Sequence, residues 1–170
     1  MTETTGTTKA LNILIVEDMP SEQAKARAAI AVAGHTAVVT ASMGEAVSCL
    51  REGTVDGVVT DLMFTPDRGG DTQLAHYSNH QPAMGLLVVI AAMAAGKQVV
   101  ICTSSDHHGL DAAWIHDCYI SHLVAWEYEN GKRGRDYYHI LETKLPFGWV
   151  EGKDWPGAVS ALARRIAAAE

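Results

Sequence analysis

Short runs of aliphatic and β-branched residues alternate with longer, helix-favouring stretches along this chain. Leu11-Asn12-Ile13-Leu14-Ile15-Val16 is the first such run, and it breaks at Glu17-Asp18-Met19-Pro20. That pattern predicts a buried strand followed by an acidic turn. Ser21 to Ala33 then carries good helix formers, with Ala24, Ala28, Ala31 and Val32 on one face and Lys25 and Arg27 elsewhere, before Gly34 stops it. His35 to Ala41 predicts the second strand. Met43 to Glu52 predicts a short amphipathic helix with Ala46, Val47 and Leu50 inward, closed by Gly53. The third strand is Gly57-Val58-Val59-Thr60, which delivers Asp61 and is followed by Leu62-Met63.

From Thr65 to Pro82 the pattern lapses into Pro, Asp, Gly, Asn and His and reads as a long loop. Met84 to Ala95 predicts a third helix that is apolar almost all round, so it needs cover from the preceding loop or from a partner subunit. Lys97 to Cys102 predicts the fourth strand, ending in Thr103-Ser104-Ser105-Asp106. Gly109 to about Ser121 reads as a helix with Leu110, Ala113 and Trp114 on one face. Leu123 to Glu129, Asn130-Gly131 and Tyr137 to Leu141 read either as a hairpin or as a helix end near Tyr128 followed by an irregular excursion. Tyr137 to Glu142 is the expected fifth strand, terminating in Thr143-Lys144-Leu145-Pro146-Phe147. A last helix starts near Asp154 as its cap, with Pro156 in the first turn and Val159, Leu162, Ala163 and Ile166 inward.

Strand and helix joined by short connections imply a parallel sheet with helices on both faces. The fold class expected is α/β, a doubly wound five-stranded parallel sheet with insertions after the third strand and between the fourth helix and fifth strand. A chain of 170 residues suits one domain. We expect a flexible tail over 1–10 and one domain over 11–170 with no separate output domain. Hydrophobic residues at 48% and charged ones at 19% fit a folded globular protein. The net charge of −7 argues against a nucleic-acid surface. Lys132, Arg133 and Arg135 then read as a solvated loop. Cys49, Cys102 and Cys118 are an odd number, consistent with free thiols in a reducing cytoplasm. The longest apolar run, Ala83 to Ala95, is shorter than the roughly 18 residues of a membrane span.

Open α/β sheets gather functional groups beyond the strand carboxyl ends, which brings Glu17 and Asp18 toward Asp61. Three carboxylates close together repel one another unless a cation sits among them, and Mg²⁺ with its oxygen ligands meets that need. Taken alone, a strand-end Asp reads as a turn cap. The company of the other groups gives Asp61 a chemical role.

The set Glu17-Asp18, Asp61, Thr103 and Lys144 supplies one group from the end of each of strands one, three, four and five. In this it resembles the receiver domain of two-component response regulators, a flavodoxin-like fold, over nearly the whole chain from Leu11 to about Ala168. The resemblance implies that Asp61 accepts a phosphoryl group from a phosphohistidine on a histidine kinase or phosphotransfer protein. It implies that Glu17, Asp18, Asp61 and the Met63 carbonyl hold Mg²⁺, and that Thr103 and Lys144 turn toward the phosphoryl oxygens. Ser104, being small, would leave room for the phosphodonor. The helix-four and strand-five surface would then repack to signal to a downstream protein partner. The chain so read is a stand-alone cytoplasmic phosphoreceiver, not an enzyme beyond self-catalysed, Mg²⁺-dependent transfer and dephosphorylation, with a homodimer as one possible assembly.

Three positions depart from that family's pattern. Pro66 lies five residues after Asp61 rather than four, Leu145 separates Lys144 from Pro146, and Leu141 occupies the aromatic position three before the lysine. These departures favour the rival reading, a receiver-like interaction module that does not cycle phosphate. A haloacid-dehalogenase type phosphatase needs a second Asp where Met63 stands, and Walker-type and dinucleotide fingerprints are missing. His76 and His80, and His107-His108, lack cysteine or carboxylate partners at ligand spacing, and His116-Asp117-Cys118 with His122 reads as a polar helix face, so none of them reads as a transition-metal site. Trp114, Trp126, Trp149 and Trp155 read as core and interface anchors, since no basic groove accompanies them.

Overall fold

The computed structural model describes residues 9–64, 84–104 and 147–169. Strands β1 (Asn12–Val16), β2 (Thr36–Thr40), β3 (Gly57–Thr60), β4 (Gln98–Thr103) and β5 (Gly148–Glu151) form one parallel sheet in the order β2-β1-β3-β4-β5. Four helices lie among the described residues: α1 (Pro20–Val32), α2 (Met43–Glu52), α3 (Gly85–Ala94) and α4 (Trp155–Ala169). No helix among the described residues is long and apolar enough to cross a membrane.

The central strands read as continuous apolar runs because both faces of the sheet are covered. Successive side chains alternate between two cores. Leu14, Val16, Val58, Val99 and Ile101 pack beneath α2 and α3 with Leu62, Phe64 and Phe147. Ile13, Ile15, Val59, Val100 and Cys102 pack beneath α1 and α4 with Ile30, Trp155, Val159 and Leu162.

The helix ends follow local chemistry. The Ser42 hydroxyl accepts a hydrogen bond from Glu45 N at 3.2 Å to cap α2, and Gly53 closes that helix in the left-handed conformation. Asp154 caps α4, its Oδ1 accepting from Gly157 N at 3.0 Å. Of the inward residues expected, Ala46 and Leu50 in α2 and Val159 and Leu162 in α4 are buried, Ala163 and Ile166 pack partly buried against the same core, and Val47 is only half-buried.

Two expectations are corrected. Helix α1 turns Ala26 and Ile30 inward, while Ala24, Ala28 and Ala31 are exposed and Val32 is 90% exposed. An alanine-rich helix offers no strong apolar stripe, so the one large aliphatic side chain that reaches the core, Ile30, sets its rotation together with Ala26 one turn earlier. The fifth strand of the sheet is Gly148–Glu151, whose Glu151 lies beside Thr103 of β4. The run Tyr137 to Glu142 lies outside the described residues. So do the expected helix from Gly109, the loop from Thr65 to Pro82, the eight-residue start of the tail, Cys118 and the basic cluster.

Helix α3 is apolar on its outer face as well as its inner one. Leu87, Ile90 and Met93, spaced three residues apart, are each about half exposed.

Candidate functional site

The strand register places the acidic groups. Val16 and Thr60 are partners across β1 and β3, so the residues that follow them, Glu17 and Asp61, leave adjacent strands at the same edge. The ladder continues one step further on each side, with Asp61 N donating to Val16 O at 2.8 Å and Glu17 N donating to Thr40 O at 3.0 Å. Glu17 is fully buried and Asp61 nearly so. Side-chain oxygens of Glu17, Asp18 and Asp61 all lie within 4.8 Å of one another.

The charge opposite them comes from the turn between β5 and α4. Lys153 Nζ pairs with Asp61 Oδ2 at 2.7 Å and also bonds Glu17 Oε2. The turn is built to aim that side chain: Gly152 has φ 71° and Lys153 itself has φ 55°, in the left-handed region. A lysine held there costs about 1 kcal/mol or more, and such strain persists only where the surroundings impose it. Here Lys153 N donates to Thr103 O at 3.3 Å, and Trp155 N donates back to Lys153 O at 3.0 Å.

Each carboxylate has further partners. Asp61 Oδ1 accepts from Leu62 N at 2.7 Å, and Glu17 Oε1 accepts from Met19 N at 3.0 Å. Burial raises the Glu17 carboxyl above its ordinary value, although Lys153 and the Met19 N–H pull the other way. Burial would lower the Lys153 ammonium, but its hydrogen bonds to Asp61 and Glu17 outweigh this and leave it raised. It is therefore a fixed positive charge at any physiological pH.

Three oxygen-bearing groups around one point form a hard donor set of the kind Mg²⁺ takes. The residues present therefore fit a divalent ion, with Lys153, bonded to Glu17 and Asp61, as the cation that competes with it. The Asp61 backbone is also packed tightly from the other side. Gly85 N, at the start of α3, donates to Leu62 O at 2.9 Å. A Cβ at Gly85 would collide with the Asp61 carbonyl oxygen and lie 2.8 Å from Leu62 Cα.

Of the residues singled out from sequence, the structure brings Glu17, Asp18 and Asp61 together. Thr103 is buried at the end of β4 and holds the lysine turn through its carbonyl. Met63 is half-buried two residues beyond Asp61, and Ser104 is exposed beside Thr103. Lys144 lies outside the described residues, and the lysine that the structure places on Asp61 is Lys153. A signal for it was present in the sequence: Gly152-Lys153 leads into Asp154, the cap of α4, a short strand-to-helix connection like Glu17-Asp18-Met19 between β1 and α1.

Solved structures share this fold. A response regulator receiver protein from Sinorhizobium medicae superposes with a TM-score of 0.56 at 16% identity, over 95% of this chain and 98% of that one. This chain has the receiver-domain fold. The signal receiver domain of a modulated diguanylate cyclase from Desulfovibrio desulfuricans matches the same fold at a TM-score of 0.54 and 15% identity, over 95% of this chain and all of that one (100%). A de novo designed Rossmann 2x3 fold protein also matches, at a TM-score of 0.50 and 10% identity, over 91% and 90% of the two chains. No family model and no curated protein sequence matches the chain. A receiver fold alone carries no chemistry, so any function must lie in the side chains at its carboxyl edge.

Proposed function

We propose that this chain is a phosphoreceiver, accepting a phosphoryl group on Asp61 from a phosphohistidine of a cytoplasmic kinase or phosphotransfer protein and acting on a protein partner by a change of conformation. The observation that carries the reading is the ammonium of Lys153 set on Asp61 Oδ2 within a cluster of three carboxylates. In the reaction, an Asp61 carboxylate oxygen attacks phosphorus in line. The O–P bond forms as the N–P bond breaks, and the electron pair leaves on the imidazole nitrogen.

Such a transfer needs positioning and charge neutralisation more than covalent help. Lys153, in the role that the resemblance gave to Lys144, would meet the phosphoryl oxygens. Thr103 would supply its hydroxyl to them. Glu17, Asp18, Asp61 and the Met63 carbonyl would hold Mg²⁺, which when bound neutralises charge on the transferring group.

Incubation with Mg²⁺ and acetyl phosphate, followed by intact mass, is expected to show one phosphoryl adduct that Asp61→Asn abolishes. A binding-only module is the second reading, favoured by Val150 at the position three before Lys153, where the family has an aromatic residue. No adduct in the unmodified protein under these conditions would select it.

A further inference from the structure

Trp155 stands between the site and the helix that follows the acidic pair. Its ring is 1% exposed in the core beneath α1 and α4. Lys153 Nζ sits 5.5 Å from its centroid, within the range in which an indole face attracts a cation. The indole is held from its other end, because Nε1–H donates to Glu22 Oε2 at 2.9 Å. Glu22 lies in the first turn of α1 and also pairs with Lys25 at 2.6 Å. That first turn is itself tied to the site, with Gln23 Nε2 donating to Glu17 O at 2.7 Å.

We propose that Trp155 is a positioning residue for Lys153: its ring face holds the ammonium toward Asp61, and its bond to Glu22 ties the ammonium's position to α1. The proposal rests on the phosphoreceiver reading for its consequence, since a phosphoryl group on Asp61 would draw the ammonium and change what the indole face meets. The geometry suits the task. Lys153 and Trp155 flank a single residue at the start of α4, so neither can shift without the other feeling it. The left-handed backbone at Lys153 fixes where the lysine stem begins, and the buried ring fixes one surface along which it lies. An aromatic residue after the lysine thus stands in for one before it, where the chain has Val150.

Two readouts test this on the full chain. The first is the initial rate of adduct formation with acetyl phosphate and Mg²⁺ for Trp155→Leu, Trp155→Phe, Lys153→Gln and the Trp155→Leu/Lys153→Gln pair. Trp155→Leu should slow the reaction about tenfold, and Trp155→Phe, which keeps a π face, should stay within about threefold. The Trp155→Leu effect should vanish in the Lys153→Gln background, where a purely structural role would persist. The second is the Trp155 indole N–H resonance during a Mg²⁺ titration, which should move in the native protein and stay put in Lys153→Gln. Additive rate effects, or an indole resonance indifferent to Lys153→Gln, overturn the proposal. If the native protein forms no adduct, the phosphoreceiver reading falls, and the indole resonance still decides whether ring and ammonium are coupled.

Discussion

The two faces of the sheet do the same packing work and reach the carboxylates in different ways. On the α1–α4 face, side chains make the connection: Trp155, Glu22 and Lys153 form a chain of polar and aromatic contacts that ends on Asp61. On the α2–α3 face the connection is backbone against backbone, with Gly85 pressed on Asp61 and Leu62. The exteriors differ too. Helix α1 presents Lys25 and Arg27 to solvent, and α4 presents Ser160 and Arg164, whereas α3 presents Leu87, Ile90 and Met93. One face is finished for water and linked to the site through adjustable groups. The other meets the site through main chain and, among the described residues, carries apolar side chains outside.

The sharpest way to break this contrast is Gly85→Val. A side chain there meets main chain rather than a flexible side chain, so the loss should reach about 3 kcal/mol or more, read from the urea midpoint. A midpoint unchanged within error would mean that α3 is not seated on Asp61. Next, Leu162→Ala in the α1–α4 core should cost about 3 kcal/mol, while Ile90→Ser on the outer face of α3 should stay within about 0.5 kcal/mol. Equal costs would show that the outer face of α3 is covered in solution.

A third prediction concerns the charge itself. Lys153→Met leaves Glu17 and Asp61 facing each other without their ammonium, and in chelator it should lower stability by about 2 kcal/mol. Mg²⁺ should restore more stability to this variant than to the native protein, because the competing cation is gone. Thermal melts with and without the ion check this, and an equal response in both proteins would argue against ion binding at these carboxylates. The smallest effect is chemical. Burial pushes the Cys102 thiol, in the α1–α4 core, up to about 12, whereas Cys49 on α2 is only half-buried. A maleimide at neutral pH should therefore label Cys49 in the folded protein and leave Cys102 untouched until it is unfolded, as peptide mapping would show.

Much of this was legible because the first four strands are β-branched runs that stop at polar residues, and the stop itself names the site residue. Glu17, Asp18 and Asp61, which the structure brings together, and Thr103 at the end of β4 all stand at such stops. The rotation of α1 was not legible, since alanines at several positions give a helix no preferred face until neighbouring strands choose one. Lys153 was missed for a related reason. Gly148-Trp149-Val150-Glu151 is short, with glycines at 148 and 152, while Tyr137 to Glu142 ahead of Lys144 has the stronger strand composition. Strand pairing with β4, a long-range contact, decided the matter for residues 148–151.

The bond between Glu17 and Lys153 joins residues 136 positions apart. A ribosome releases all three carboxylates, and the strands that carry them, well before the lysine that neutralises them. The acidic half of the site is thus written in the first 61 residues, and the ammonium that meets it joins only when the chain has been made as far as residue 153.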